Sequence, residues 1–327
     1  MSNNTLWYRA EIETEVCRER LCEFAKINLY WDEVGNYLKF ALPESKELTK
    51  WDHIPFNSKD YQKLNDILGN PNSKLRDYTF NEINDVIESG NKIDQEVDAL
   101  SGATPVKLSN TVVEGAALSS YTFWHIVYGA AMDTIKQHVK EKTDKKYVCQ
   151  KLTSTEANLK IWAIKKSKEL FQTENSLRHE IMQLISEPDL KVAREALNFF
   201  TDSQLEKKDI QEKLMNQFYM ADPAIKYDIL ERQKQLQVIH PETLYFLIKE
   251  FAEERIGILA FSSIMNIANK VKEPSEKTIE IMGELLLSDN YYIAKNAYKI
   301  VKYHPSNKKE LKRKMKTFEK KHAARID

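Results

Sequence analysis

The first part of the chain contains two short segments in which apolar and polar residues alternate. They cover residues 25–31 (AKINLYW) and 37–42 (YLKFAL), and the polar cluster DEVGN at 32–36 lies between them. Alternation places the apolar side chains on one face of a strand, and a short polar connection containing glycine is typical of a hairpin turn. We therefore predict a β-hairpin that ends at Pro43.

Turn and helix patterns follow this hairpin. Residues 48–56 have no regular period and are predicted to form a loop. The predicted elements after it are a helix capped by Ser58 and ending at Leu68, a break at 70–73, a short helix over 79–89, a long helix rich in small residues over 112–139, and a last strand over 147–152. Strands and helices together predict an α+β fold for a first domain over residues 1–155.

From about Ser176 the pattern changes to amphipathic helices alone. Four segments share one spacing, in which an apolar residue is followed seven positions later by a β-branched residue. The pairs are Ile185 with Val192, Phe218 with Ile225, Phe251 with Ile258, and Leu286 with Ile293, so that successive copies lie 33, 33 and 35 residues apart. Such a period is typical of two-helix repeats stacked into a solenoid. We predict HEAT-like helical repeats over 176–327, joined to the first domain by a connecting helix over 156–175.

Length and charge limit the classes of protein that the chain can belong to. At 327 residues it is too long for one compact core and fits two domains. Its 49 basic and 49 acidic residues cancel, which argues against a nucleic-acid-binding protein. Only Lys308–Lys321 is markedly basic. We expect this segment to be a solvated cap on the last repeat, with an anionic docking surface as the alternative.

The cysteines and the hydropathy exclude further classes. Cys17, Cys22 and Cys149 include no CxxC pair, which argues against a zinc site and a disulfide-linked scaffold. We interpret them as buried thiols, although Cys17 and Cys22 could form one bridge if their segment is not helical. The N-terminus has no apolar signal region, and no apolar run approaches membrane-spanning length. We therefore expect no direct membrane insertion.

The candidate chemistry lies in the segment VDALSGAT at 97–104. Gly102 can adopt a left-handed turn conformation, and Ala103 leaves the approach to Thr104 open. Pro105 suits the first position of a helix, where no amide hydrogen is needed. Thr104 is therefore predicted to be a helix N-cap, where unpaired backbone N–H groups and the helix dipole favour a phosphate ester.

Two other residues of this segment have a predicted part in the same chemistry. Asp98 is suitably placed for turn hydrogen bonds, or for a divalent metal during a transfer step. Ser101 can hydrogen-bond locally within the turn. The residues alone also fit a plain N-cap, with no ester on Thr104, because such caps are common.

The pattern Asp-x-x-Ser-Gly-Ala-Thr resembles the flavinylation motif of the FMN-binding domain family. That family includes the C subunit of the sodium-translocating NADH:quinone oxidoreductase and the G subunit of the related Rnf complex. In it, a magnesium-dependent FAD:protein FMN transferase links FMN to the motif threonine through a phosphoester. The resemblance covers about residues 20–150 and leaves the repeats outside. It implies recognition through Asp98, Ser101, Gly102 and Ala103, with Thr104 as the acceptor; the family's frequent second hydroxyl residue is replaced here by Pro-Val-Lys.

Aromatic and histidine residues are further candidates for a site. Five of them lie on the predicted long helix: Tyr121, Phe123, Trp124, His125 and Tyr128. Such rings can stack on a flavin, but at helical spacing they are also typical of a core. His53 and His125 have no companion ligands at suitable spacing, so we expect no stable metal site.

The resemblance implies a flavoprotein electron carrier. FMN on Thr104 would accept and donate electrons, and the helical repeats would dock a redox partner. The transferase is an implied partner, and the chain is then its substrate, with no catalytic residues of its own identified. Family members usually work outside the cytoplasm, so an extracytoplasmic location is implied if an export signal was removed, and a cytoplasmic one otherwise. The alternatives are a protein-binding scaffold in which the Ser-Gly-Ala-Thr turn only caps a helix and, more weakly, an enzyme that uses FMN.

Overall fold

A computed structural model describes residues 7–16, 24–50, 53–83, 85, 111–172, 174–305 and 308–323 of the protein. By its internal contacts the chain divides into two units, Met1–Asp144 and Lys145–Asp327. Cys17 and Cys22 lie outside the described residues, whereas Cys149 is a half-buried free thiol.

A three-stranded antiparallel sheet begins the first unit. Its strands are β1 (Trp7–Thr14), β2 (Ala25–Asp32) and β3 (Tyr37–Ala41), in the order β1-β2-β3. The predicted hairpin is confirmed as β2 and β3, which pair with a register shift between Tyr30 and Trp31. β1 was not predicted.

The turn of the hairpin is built around a buried carboxylate. Asp32 Oδ1 accepts hydrogen bonds from the backbone N–H groups of Val34 (3.0 Å) and Asn36 (2.8 Å), and Gly35 has a positive φ of 87°. Burial raises the pKa of the Asp32 carboxyl, while the hydrogen bonds from Asn36 and Val34 oppose that shift. The polar DEVGN cluster therefore forms a turn because one of its side chains replaces water as the partner of the turn amides.

Helix α1 (Ser58–Leu68) follows, at the predicted bounds but with a different cap. Asn57 Oδ1 accepts from the backbone N–H groups of Lys59 (2.8 Å) and Asp60 (3.1 Å), and Asp60 Oδ2 accepts from Asn57 N (3.0 Å). This reciprocal pair is a capping box, so Ser58 is the first helical residue and does not cap. A short 3₁₀ helix, Lys74–Asp77, comes next, and residues 80–83 are helical.

The long helix predicted over 112–139 is wrong. The structure has two helices, α2 (Ala117–Val127) and α3 (Ala130–Lys142), separated at Gly129. A Cβ on Gly129 would lie 2.5 Å from the carbonyl oxygen of His125, which is closer than real Cβ atoms come. The chain therefore turns through a close backbone approach that only glycine allows.

All the regular elements among the described residues of the second unit are helices. Its helices are α4 (Lys145–Leu152), α5 (Ala157–Leu170), α6 (Asn175–Gln183), α7 (Leu190–Phe199), α8 (Asp202–Leu205), α9 (Lys208–Met220), α10 (Pro223–Gln235), α11 (Pro241–Ala252), α12 (Ile258–Ala268), α13 (Glu276–Leu285), α14 (Tyr291–Val301) and α15 (Lys309–Lys321). The strand predicted over 147–152 is wrong, because Val148 and Leu152 are both buried four residues apart on one face of α4. A segment of only six residues fits either period.

The helices of this unit pack in two rows. One row is formed by α5, α7, α10 and α12, and the other by α6, α9, α11, α13 and α15, with each helix against the next in its row. A continuous apolar core runs from Val148 to Phe318. Seven of the eight residues that defined the predicted repeat spacing are buried, but Ile258 is 48% exposed, and Phe261 is buried in its helix instead.

Hydrogen bonds from side-chain cations to backbone carbonyls join neighbouring helices of the first row at their C-terminal ends. Lys168 Nζ donates to Asn198 O (2.9 Å), Arg232 Nη2 donates to Phe200 O (3.2 Å), and Lys270 Nζ donates to Leu236 O (2.6 Å). Helix ends leave carbonyls without intrahelical partners and carry partial negative charge, so a cation from the neighbouring helix satisfies both.

Candidate functional site

The predicted attachment motif lies outside the described residues. Asp98, Ser101, Gly102, Ala103 and Thr104 all fall within 86–110. The helix that follows, α2, has Ala116 as its N-cap, with no side-chain capping bond. Thr104 is therefore not the cap of α2, which begins thirteen residues further along the chain.

The chain between the motif and α2 is fixed to that helix from residue 113 onward. The backbone N–H of Val113 donates to Ser120 Oγ (3.0 Å), and Ser120 Oγ donates to Ala116 O (2.9 Å). Val113 and Ser120 are fully buried, and Gly115 turns the chain with a positive φ of 73°. The segment after the motif region thus has a buried anchor directly beside Tyr121.

Three rings from the C-terminal part of α2 and its C-cap contact the end of α1 and the connection that follows it. Trp124 Nε1 donates to Asn70 O (3.0 Å), Tyr128 Oη donates to Leu68 O (2.7 Å), and His125 Nε2 lies 3.1 Å from Leu75 O. Burial raises the pKa of Tyr128 to about 12, so its hydroxyl remains a donor at neutral pH. Phe123 is fully buried. These contacts give Phe123, Trp124 and Tyr128 structural roles.

Phe80 and Tyr121 form a partly exposed aromatic surface, here called the Phe80–Tyr121 face. Their ring centroids lie 6.1 Å apart, and the Tyr121 ring lies 4.2 Å from that of His125. Phe80 is 41% exposed. Burial, and to a smaller extent the nearby Glu82, raises the pKa of Tyr121. Aromatic side chains that are not fully covered can take a flat ring against them.

The remaining candidates bring no further group to this face. His53 is exposed and has a positive φ of 57°. Within the described ranges, no three His, Cys, Asp or Glu residues come together in a way that could hold a metal ion.

The helical unit carries an exposed apolar surface that sequence reasoning missed. It lies at three successive turns between paired helices and is here called the turn row: Tyr219, Met220, Ile258, Leu259, Leu287 and Tyr292. Leu259 is 88% exposed. The Arg255 guanidinium lies 5.7 Å from the Tyr219 ring, and the Tyr292 ring lies 5.9 Å from that of Phe261. These contacts connect each turn to the next.

Comparison of the chain with protein-family models, with curated proteins and with solved structures found no match. None of the helices in the described part of the chain has the length and apolar character needed to cross a bilayer.

Proposed function

We propose that the protein is a flavoprotein electron carrier with FMN linked through a phosphoester to Thr104. The observation that carries this proposal is the sequence Asp98-x-x-Ser-Gly-Ala-Thr104, which has the residue types and spacing of a flavinylation motif. When bound, the flavin would take up and release electrons.

In the attachment step this chain would supply the acceptor hydroxyl of Thr104, and the transferase would supply the catalytic groups. The Thr104 hydroxyl oxygen attacks the phosphorus on the FMN side of FAD, and the phosphoanhydride bond to AMP breaks. AMP leaves with the bonding electrons, and the hydroxyl proton passes to a base of the transferase. The chain gains the mass of FMN less one water.

The Phe80–Tyr121 face supports the proposal as an aromatic surface for the flavin ring. Seven residue steps join Thr111 to Thr104, and seven extended residues span at most about 25 Å. Val113 is fixed to Ser120 next to Tyr121, so an FMN on Thr104 would lie on a tether whose described end is beside the Phe80–Tyr121 face. This face would contact the ring, whereas Trp124 and Tyr128 are committed to backbone carbonyls.

The helical unit would place the carrier beside its redox partner. Its two rows of helices are the arrangement expected of a HEAT-like solenoid, and the cation-to-carbonyl ties recur between three pairs of neighbouring helices. We propose that the four predicted copies are such repeats, with α11 and α12 as the divergent third copy.

The test is to co-express the full chain with an FAD:protein FMN transferase and to run it on a denaturing gel. We expect flavin fluorescence in the wild type and none in Thr104→Ala. Ser109→Ala is the matched control, because it removes a hydroxyl five residues beyond the motif and should leave the fluorescence unchanged. A colourless wild-type band would contradict the proposal, and flavin lost on denaturation would point to non-covalent binding.

A second candidate function is a protein-binding scaffold, and the turn row favours it. Exposed apolar patches are typical of protein interfaces, and Leu259, Tyr219 and Met220 are each at least 59% exposed. Under this function Thr104→Ala would leave partner binding intact, whereas Leu259→Asp would abolish it. Flavin fluorescence from wild type together with loss of electron transfer in Thr104→Ala would exclude it as the sole function.

A further inference from the structure

Positive charge is concentrated at the C-terminal end of the helical unit. The whole chain is neutral, yet residues 291–323 contain eleven lysines and arginines against two glutamates. These residues form α14 and α15, the last two helices described. A neutral protein that separates its charges in this way presents one strongly basic end.

Four of these cations lie in one straight row along α15. Lys309, Arg313, Lys316 and Lys320 are spaced by four, three and four residues, which places them within about 60° of the helix circumference. The row is about 16 Å long at the helical rise. All four residues are exposed, and none forms an ion pair with any residue that the structure describes. We call them the basic row.

The other cations of this helix behave differently. Lys314 pairs with Glu284 (2.6 Å) and Glu310 (3.1 Å), and Lys308 pairs with Glu280. Leu311 and Phe318 are buried on the opposite face. The apolar side of α15 is therefore consumed by packing, and its cations divide into a paired set that attaches the helix and an outward set that does not.

The four cations of the basic row repel one another in the free protein. Its members are neighbours at spacings of three and four residues, and like charges at these spacings destabilise a helix. Lys309 also lies in the first turn, where the helix dipole disfavours positive charge. A surface of negative charge would relieve both effects.

Tyrosines accompany this charge. Rings pair Tyr291 with His322 and Tyr298 with Phe318, so α14 runs antiparallel to α15 and its end lies beside the first half of α15. Tyr303 at that end is 81% exposed, and Lys302 Nζ lies 5.5 Å from its ring. Exposed tyrosine among lysines is typical of the boundary between lipid headgroups and hydrocarbon.

We propose that the basic row docks this end of the protein onto an anionic lipid surface. Contact is peripheral, because the apolar face of α15 is occupied by packing while the four cations of the basic row are exposed. A flat layer of mobile anionic headgroups matches a straight row of cations, whereas a nucleic-acid-binding protein is expected to be basic overall and this chain is neutral. The proposal is independent of the flavin.

The experiment measures co-sedimentation of the full chain with phosphatidylcholine vesicles, with and without phosphatidylserine. We expect binding only where phosphatidylserine is present, and weaker binding at higher salt because the interaction is screened. The quadruple variant Lys309→Gln, Arg313→Gln, Lys316→Gln and Lys320→Gln should bind about 100- to 1000-fold more weakly, since each cation near such a surface contributes several-fold.

A matched control removes the same charge elsewhere on the helical unit. Lys165, Lys191, Lys207 and Lys272 are exposed and form no ion pair within the described residues, so the quadruple change of these to Gln should bind vesicles as the wild type does. Circular dichroism checks that both variants are folded. Equal loss in both variants, no binding by the wild type, or preferential binding to duplex DNA over the anionic vesicles would each overturn the proposal.

Discussion

Replacing the buried Gln233 by methionine should stabilise the helical unit. The Gln233 side chain is fully buried in α10, and neither its Nε2 nor its Oε1 has a hydrogen-bond partner among the described residues. Burying an amide without partners costs about 1–3 kcal/mol, and methionine has a similar shape without the polar atoms. We expect the free energy of unfolding to rise by about 1–2 kcal/mol, and the Tm by roughly 3–6 °C for a unit of this size.

Gln211 is the matched control, because it is equally buried one helix earlier but fully bonded. Its Nε2 donates to Val238 O (2.8 Å), and its Oε1 accepts from His240 N (3.0 Å) and from Thr243 Oγ1 (2.9 Å). Gln211→Met removes three hydrogen bonds and should lower the free energy of unfolding by about 2–4 kcal/mol.

The assay is urea unfolding of the full chain followed by far-ultraviolet circular dichroism, with the m-value compared between variants. Because only Gln211 is hydrogen-bonded, the same substitution should change the free energy of unfolding in opposite directions at the two positions. If Gln233→Met destabilised the protein as much as Gln211→Met does, then hydrogen-bond satisfaction would not be what distinguishes these glutamines.

Two further predictions concern the first unit. Gly129→Ala should destabilise it by about 2 kcal/mol or more, because the added Cβ would lie 2.5 Å from His125 O; urea unfolding measures this, and an unchanged midpoint would show that the break between α2 and α3 does not need glycine. Burial raises the pKa of Tyr128 to about 12 from 10.0, so its native form resists ionisation and its contribution to stability is lost as the pH rises from 10.0 to about 12. Tyr128→Phe should therefore be less stable at neutral pH, through the lost bond to Leu68 O, and lose less stability over that alkaline range; an identical pH dependence in both proteins would contradict this.

The hairpin could be predicted because its period and its turn agree. Ile27, Leu29 and Trp31 alternate along β2, and the turn that follows holds its own amides through Asp32. β1 was missed although its charged residues Arg9, Glu11 and Glu13 alternate with less polar ones; the inward positions of Trp7–Thr14 are only half-buried, and two of them are the small residues Ala10 and Thr14.

Other features depend on contacts that no local pattern contains. The break at Gly129 lies inside a run of small residues whose pattern predicts a helix. It is explained by the close approach of the His125 carbonyl, which the sequence does not show. The aromatic residues of α2 fitted both a core and a ring contact, and the choice depends on partners more than fifty residues away for Trp124 and Tyr128. Ile258 fitted the repeat spacing, but α12 begins at that residue and buries Phe261 instead.

The motif of the candidate site is a prediction from the sequence. The aromatic surface near it is visible only in the structure. The spacing of Asp98 and Thr104 is a local signal that a single chain can show. The Phe80–Tyr121 face is not, because it joins residues forty-one positions apart. The basic row was visible in the sequence only as part of the basic segment Lys308–Lys321, because which cations of that segment are paired depends on α13.

The most direct test of the flavin account is peptide mapping by tandem mass spectrometry of the chain co-expressed with the transferase. Trypsin should release residues 93–107, which end at Lys107 and contain the whole motif. We expect fragment ions that contain Thr104 to carry the mass of FMN less one water, and those that end at Ala103 to lack it. An unmodified peptide throughout the sample, or the added mass on Ser101, would contradict it.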